Sequence, residues 1–179
     1  MLKSENIYLR PFILSDADEL LHLRNKNRSF LEKYSMTRPT TYWSLEAQQE
    51  LIVKWEQNKQ EDIEYYFGIY KVNGHKLIGT ISLFQVMRGP QQSAFIGYDL
   101  DQDHNGNGFT TEAAKLIVNY AFDTLNLHRI QAGVMPHNIG SIRVLEKAGF
   151  HKEGIAIKNV KINGIWEDHQ VLAIINPNE

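Results

Sequence analysis

The chain has 179 residues, a formal net charge of -2 and no cysteine. That length suits one domain with a real core. Without a basic excess, strong non-specific nucleic-acid binding is excluded. Without cysteine, so are disulfides, zinc–thiolate sites and cysteine nucleophiles. The first residues lack the apolar stretch of a signal peptide, and no apolar run approaches the roughly 18 residues that span a bilayer. A cytoplasmic protein with no membrane attachment is the expectation.

In chain order, residues 6–12 are rich in strand formers. Residues 15–25 put Ala17, Leu20, Leu21 and Arg24 at helical spacing, with Ser15 as the expected N-cap. A short, irregular helical piece covers 28–34. Residues 37–43 read as a loop, because Pro39 disfavours helix on both sides. A second long helix spans 44–59, where Ser44 with Ala47 rather than Glu at N3 makes half a capping box. The hydrophobic period then changes to two. Residues 64–72, 76–86 and 93–100 form three successive strands joined by turns with hairpin chemistry. A helix follows at 110–125, with Ala113, Leu116, Ile117, Tyr120, Ala121 and Leu125 on one face. A strand at 128–135 leads to a short helix at 141–150 that Gly149 stops. Two last strands, 151–161 and 165–175, meet at Asn163-Gly164. The order β-α-α-β-β-β-α-β-α-β-β predicts a mixed α/β (α+β-like) domain covering 1–179, without the regular alternation of a doubly wound sheet.

The stretch DQDHNGNGFTTEAA (101–114) joins a strand to a helix. Gly106 and Gly108 can take positive φ, and the helix start presents free N–H groups and the positive end of the dipole. Two readings stand on these residues alone: a tight turn, or a cradle for an anion. A Walker A loop would need Lys and Ser/Thr after its last glycine, where Phe109 and Thr110 stand. A dinucleotide fingerprint would need a small residue in place of Thr111 and an early βαβ unit. Both nucleotide patterns fail. The seven histidines show no i, i+4 pairing, so no metal site is expected.

Residues 98–122 resemble the acetyl-CoA loop of GNAT N-acetyltransferases, Gln/Arg-x-x-Gly-x-Gly/Ala at a strand–helix junction. Asn105 takes the first position, Gly108 the fourth and Thr110 the sixth, and Gly108 alone is a strict match. The resemblance widens to the ribosomal-protein-alanine N-acetyltransferases of RimJ type through IYLRPF (7–12), FLEKYSMTRP (30–39), MRG (87–89), HRI (128–130), MPHNIGS (135–141), LEKAGFHKEG (145–154) and NGIWEDH (163–169). It implies the GNAT fold, a central, mostly antiparallel mixed sheet flanked by helices. It also implies acetyl-CoA as cosubstrate and no metal.

Carried onto this chain, the resemblance puts the CoA pyrophosphate on the N–H groups of Asn105, Gly106, Asn107, Gly108, Phe109 and Thr110. The pantetheine arm would follow the strand ending at Tyr98–Leu100, where the next strand splays away. Asn138 would bind that arm, cap a helix, or both. Relatives often protonate the leaving thiolate with a Tyr on the helix after Asn138. Residues 121–179 hold no Tyr, and Ser141 is the substitute. Relatives often carry Glu as base where Phe95 stands. Asp99 on the same face is the first candidate, ahead of His104, Glu167, Asp168 and His169. Tyr34, Arg38, Trp43 and Trp166 are expected to wall the acceptor groove. His137 is expected to be structural.

The expected reaction is direct attack of a primary amine on acetyl-CoA through a tetrahedral intermediate. The favoured acceptor is the α-amine of a protein N-terminus, whose pKa of about 7.7–8.0 makes a weak base sufficient. A small-amine acetyltransferase (polyamine, antibiotic or amino acid) and a non-catalytic acyl-CoA-binding sensor are the alternatives. Monomer and homodimer are equally compatible with the sequence.

Overall fold

The period-two segments become strands because alternate residues have apolar partners on both sides of one sheet. The computed structural model describes residues 1–36 and 38–179. Its strands are β1 (Leu2–Lys3), β2 (Ile7–Pro11), β3 (Tyr65–Lys71), β4 (Leu77–Met87), β5 (Ser93–Leu100), β6 (Arg129–Val134), β7 (His151–Ile162) and β8 (Ile165–Ile175). They form one sheet in the order β1-β2-β3-β4-β5-β6-β8-β7. Every neighbouring pair is antiparallel except β5 with β6. The helices are α1 (Ala17–Lys26), α2 (Arg28–Tyr34), α3 (Leu45–Gln60), α4 (Phe109–Asp123) and α5 (Ile139–Lys147).

Alternation along β2 shows how the sheet divides the core. Ile7 and Leu9 join one cluster with Ile117 and Val118 of α4 and Leu145 of α5. Tyr8 joins the other, with Leu20 and Leu23 of α1 and Ile52 and Trp55 of α3. So α4 and α5 cover one face, and α1 with α3 covers the other. Full burial of side chains such as Ile117 contributes about 1.5–3 kcal/mol each.

The parallel pair positions the site. Parallel neighbours need a crossover, and α4 provides it. β5 and β6 pair only at Ser93–Arg129, Ala94–Ile130 and Phe95–Gln131. Beyond that point β5 stays with β4, out to Leu100 opposite Gly79, while β6 stays with β8, out to Val134 opposite Gln170. A wedge therefore opens between β5 and β6 toward the carboxyl end of β5.

Several local expectations change. Ser15 does not cap α1. A 3-10 turn at Leu14–Asp16 precedes the helix, and Asp16 takes the N-cap position. The Asp16 carboxylate accepts from Ile13 N at 2.8 Å and from both Arg10 terminal nitrogens at 2.7 and 2.9 Å, and this pinned carboxylate sets where α1 begins. Thr40–Trp43 form a 3-10 turn within the expected 37–43 loop, and Thr37 lies outside the described residues. The two-residue β1 was not expected, since two residues carry no period. Ser44 Oγ does accept from Ala47 N at 3.1 Å, and Gly149 does follow α5 at φ +102°. Among the described residues no helix is long and apolar enough to cross a membrane.

Candidate active site

From the end of β5 the chain turns through residues 101–108 into α4, and α1 holds this turn. Lys26 Nζ donates to Asp101 Oδ2 at 2.8 Å and Asp103 Oδ2 at 2.6 Å, while Asn27 Oδ1 accepts from Gln102 N at 3.0 Å. Burial alone would raise the Asp101 carboxyl. Its bonds from Lys26 and the Asp103 amide, with the nearby positive charges, outweigh that and hold it below the ordinary carboxylate range. Asn107 Nδ2 donates to the carbonyls of His104 at 3.2 Å and Asn105 at 3.4 Å, closing the turn on itself.

Gly106 and Gly108 have φ of +81° and +78°, and a Cβ on either would meet no protein atom within 4 Å. Backbone conformation demands glycine here, and the space in front is left for something other than the protein. Gly108 is the N-cap of α4 and has no side chain to satisfy the first amides. The N–H groups of Phe109, Thr110 and Thr111 emerge from the helix end, ahead of the bond from Glu112 N to Gly108 O at 3.0 Å. This arrangement attracts an anion. From it a cleft of about 570 Å³ runs along Ile96–Leu100 to α5. The volume is ordinary for a cosubstrate site. The loop glycines and a phosphate-bearing ligand therefore fit each other.

Two neighbouring groups of β5 point to opposite faces of the sheet. Tyr98 points toward α5. Its hydroxyl lies 2.6 Å from Ser141 Oγ and donates to the Ser141 carbonyl at 3.1 Å. Burial pushes the Tyr98 phenol up to about 12. Asn138 Oδ1 accepts from Ser141 N at 3.4 Å as the α5 N-cap, while its Nδ2 has no protein acceptor among the described residues and lines the cleft. Asp99, the next residue on β5, points the other way. It pairs across the strands with Thr80, whose hydroxyl donates to Asp99 Oδ2 at 2.9 Å. Thr80 Oγ1 lies 3.4 Å from Tyr66 OH, and Arg24 Nη2 donates to that phenol at 3.0 Å. Burial raises the Asp99 carboxyl, and the Arg24 charge and Thr80 bonds only partly oppose it.

Asp99 lines both the large cleft and a second cavity of about 70 Å³ on the α1/α3 side of the sheet. Arg38 and Trp43 line that smaller cavity, together with Arg24, Tyr42 and Tyr66. The structure thus gathers Tyr98, Leu100, Asn105, Gly106, Gly108, Phe109, Thr110, Asn138 and Ser141 around the large cleft. Tyr34, expected in the acceptor wall, also stands there, near His137 at 5.9 Å between ring centroids. Asn107 lines neither cavity; its side-chain amide closes the turn, while the group expected to hold pyrophosphate is its backbone N–H. Trp166 lines neither as well. It is 58% exposed on β8, where its register opposite Lys161 leaves it outside the wedge. Phe95 stacks on Phe84 at 5.6 Å between centroids, which makes that position apolar packing. Of the other basic candidates, His169 is buried in the cleft wall with Nδ1 3.1 Å from the Glu167 carbonyl, and His104 also lines it. Sequence reasoning missed Arg24, Tyr66 and Thr80 as site residues. It also placed Tyr98 without its hydroxyl partner.

A cleft opened by splayed strands, a turn with free amides at the head of a crossover helix, and a second cavity sharing one carboxylate with that cleft lie together at the carboxyl end of β5. Residues 6–151 match the family described as Acetyltransferase (GNAT) domain, and the chain belongs to that family. It is an N-acetyltransferase. It is 58% identical over 179 residues to the probable N-acetyltransferase YjcK of Bacillus subtilis (strain 168), covering 100% of this chain and 99% of that one. Its structure is similar to the ribosomal-protein-S5-alanine acetyltransferase from Vibrio fischeri, with a TM-score of 0.93, 32% identity, and 98% and 96% of the two chains covered. The Mycobacterium smegmatis RimJ in complex with CoA-disulfide gives a TM-score of 0.90 at 26% identity, covering 94% and 81%.

Proposed function

We propose that the enzyme transfers the acetyl group of acetyl-CoA to the α-amine of a protein N-terminus. The observation that carries this reading is the position of Asp99, the carboxylate at which the two cavities meet. Acetyl-CoA supplies an activated thioester when bound. The open amides at Gly108–Thr111 and the amide of Asn138 are the groups that would hold its pyrophosphate and pantetheine.

Chemistry at the junction follows from the two opposed environments. The amine enters from the Asp99 side, and burial suits Asp99 to accept its proton. A raised carboxylate pKa narrows the gap to an α-amine at about 7.7–8.0. A Lys amine at about 10.4 would be neutral only to roughly one part in a few thousand at neutral pH. On the other face, Tyr98 has a phenol far above a thiol of about 8.5, so it keeps its proton. Protonated, it holds the Ser141 hydroxyl in place through the contact at 2.6 Å beside the departing sulfur, which needs no strong acid.

CoA release with a panel of amines tests the reading. Peptides with free N-terminal Ala or Ser are expected to turn over, and the same peptides with a blocked N-terminus are not. Turnover of spermidine with no turnover of any peptide would sink the α-amine assignment and leave the transferase chemistry standing.

A further inference from the structure

The small cavity has an unusual supply of unanswered donors. Arg24 is only 4% exposed, yet its Nε is buried with no hydrogen-bond partner. Trp43 Nε1 is buried and unpaired as well. Both side chains line the cavity that ends at Asp99. Buried N–H groups without acceptors are rare, and such a pair beside a cavity points to a ligand that brings acceptor oxygens.

Charge agrees with the donors. Arg38 lines the same cavity, and the Arg24 and Arg38 guanidinium carbons lie 5.2 and 4.9 Å from the Tyr42 ring centroid. Among the described residues neither guanidinium forms an ion pair. Two acids line the same cavity: Glu32, paired with Arg28 at 2.9 Å, and Asp99, which accepts from Thr80 and lies within the field of Arg24. Loss of solvent around Arg38 opposes its protonated form, and the like charge of Arg24 adds to this. Arg24 is buried and Arg38 is close enough to repel it, so an anion that reaches both guanidiniums relieves that repulsion.

We propose that this cavity selects acceptors carrying a carboxylate a few bonds from the reacting amine, held by Arg24 and Arg38. The proposal rests on the reading of this cavity as the acceptor site. The amine faces Asp99 at one end and the carboxylate faces the arginines at the other. A planar carboxylate matches the guanidinium fork and the cavity's small volume of about 70 Å³. Two sources offer that chemistry: an acidic side chain close behind a peptide's N-terminal residue, or the α-carboxylate of a free amino acid. Polyamines, which bring only positive charge, are disfavoured.

The test compares kcat/KM within isosteric pairs. One pair is a peptide beginning Ala-Glu against one beginning Ala-Gln. Another is alanine against alaninamide, and spermidine completes the set. At least about ten-fold preference for the carboxylate member is expected in one pair, and the pair that shows it identifies the source. Arg38→Gln and Arg24→Lys should bring the ratio toward unity while acetyl-CoA affinity holds. If the buried Arg24 variant fails to fold, the solvent-reaching Arg38 variant decides alone. Equal rates within both pairs, or a preference that survives Arg38→Gln, would overturn the proposal while leaving α-amine acetylation intact. Spermidine as the sole substrate would overturn both.

Discussion

Asp99 and Tyr98 are neighbours in sequence and opposites in setting. A strand turns successive side chains to opposite faces, so one residue step separates the proposed base from the phenol that meets Ser141. Burial sets Asp99 above its ordinary pKa. Between the unfolded and folded values, the folded chain binds the proton and the unfolded chain does not, so stability falls as pH rises through that window. At neutral pH the ionised carboxylate is a cost that the fold carries. Asp99→Asn is therefore expected to raise Tm near pH 7, with the gain shrinking as pH falls through the raised folded value and gone below about pH 4. The same substitution should lower kcat/KM for an N-terminal peptide by roughly 100-fold or more and remove the acid limb that Asp99 gives the pH–rate profile. An undiminished rate would move the base role elsewhere, with the buried His169 next in line.

At the level of elements, the junction of β5 and α4 does the positioning. Its geometry depends on two glycines at positive φ and on an α1 that clamps the turn through Lys26 and Asn27. A large aliphatic residue at Gly108 would test two things together, since φ +78° costs such a residue about 1–2 kcal/mol before any ligand is considered. Asn tolerates this conformation better. Gly108→Asn is expected to keep Tm within a few degrees and to raise the Kd for acetyl-CoA by about ten-fold or more, read by calorimetry. Unchanged affinity with an intact fold would show that the open amides do not carry the phosphate. On the same helix, Ile117 is fully buried between α4 and the sheet. Ile117→Ala should cost about 2–5 kcal/mol in urea unfolding without shifting substrate preference.

Across the whole molecule, the carboxylates divide by sign. Arg88 at Asp62 and Arg129 at Glu153 are the largest influences and hold those acids down, Glu153 to about 2. At Asp16 and Asp101 burial pushes upward, but hydrogen bonds and charge from Arg10 and Lys26 prevail. Each of these four contributes stability above its unfolded pKa that is lost as pH falls through the lowered folded value. Asp99 acts in the opposite sense, alone. The urea midpoint is expected to drop between about pH 5 and pH 2, and to drop less steeply in Lys26→Met, which is already weakened at neutral pH. A midpoint flat across that range would mean these pairs form in the unfolded chain too.

How much of this was readable beforehand follows from the range of the forces involved. The long helices, the meander and the crossover helix were legible, because their signals are local periods of 3.6 and two. The glycine turn was legible once its neighbours matched a family loop. The N-cap of α1 falls one residue beyond Ser15, where Arg10, six residues back on β2, and the Ile13 amide hold the Asp16 carboxylate. Trp166 is expected in the acceptor groove by its place in a motif, whereas the β7–β8 register leaves its side chain exposed and outside both cavities. Thr80 opposite Asp99 depends on strand register, which shifts at a bulge between Phe84 and Met87 that no alternation pattern reveals. Sequence alone determined the elements, their order and the glycine turn between strand and helix, since these rest on local periodicity and backbone freedom. Only the tertiary structure decided that Asp99 lines two cavities, that Tyr98 meets Ser141 and that the Arg24 Nε is buried without an acceptor near Arg38. Those relations arise from packing between segments far apart in the chain, where burial, not residue type, decides what each group can do.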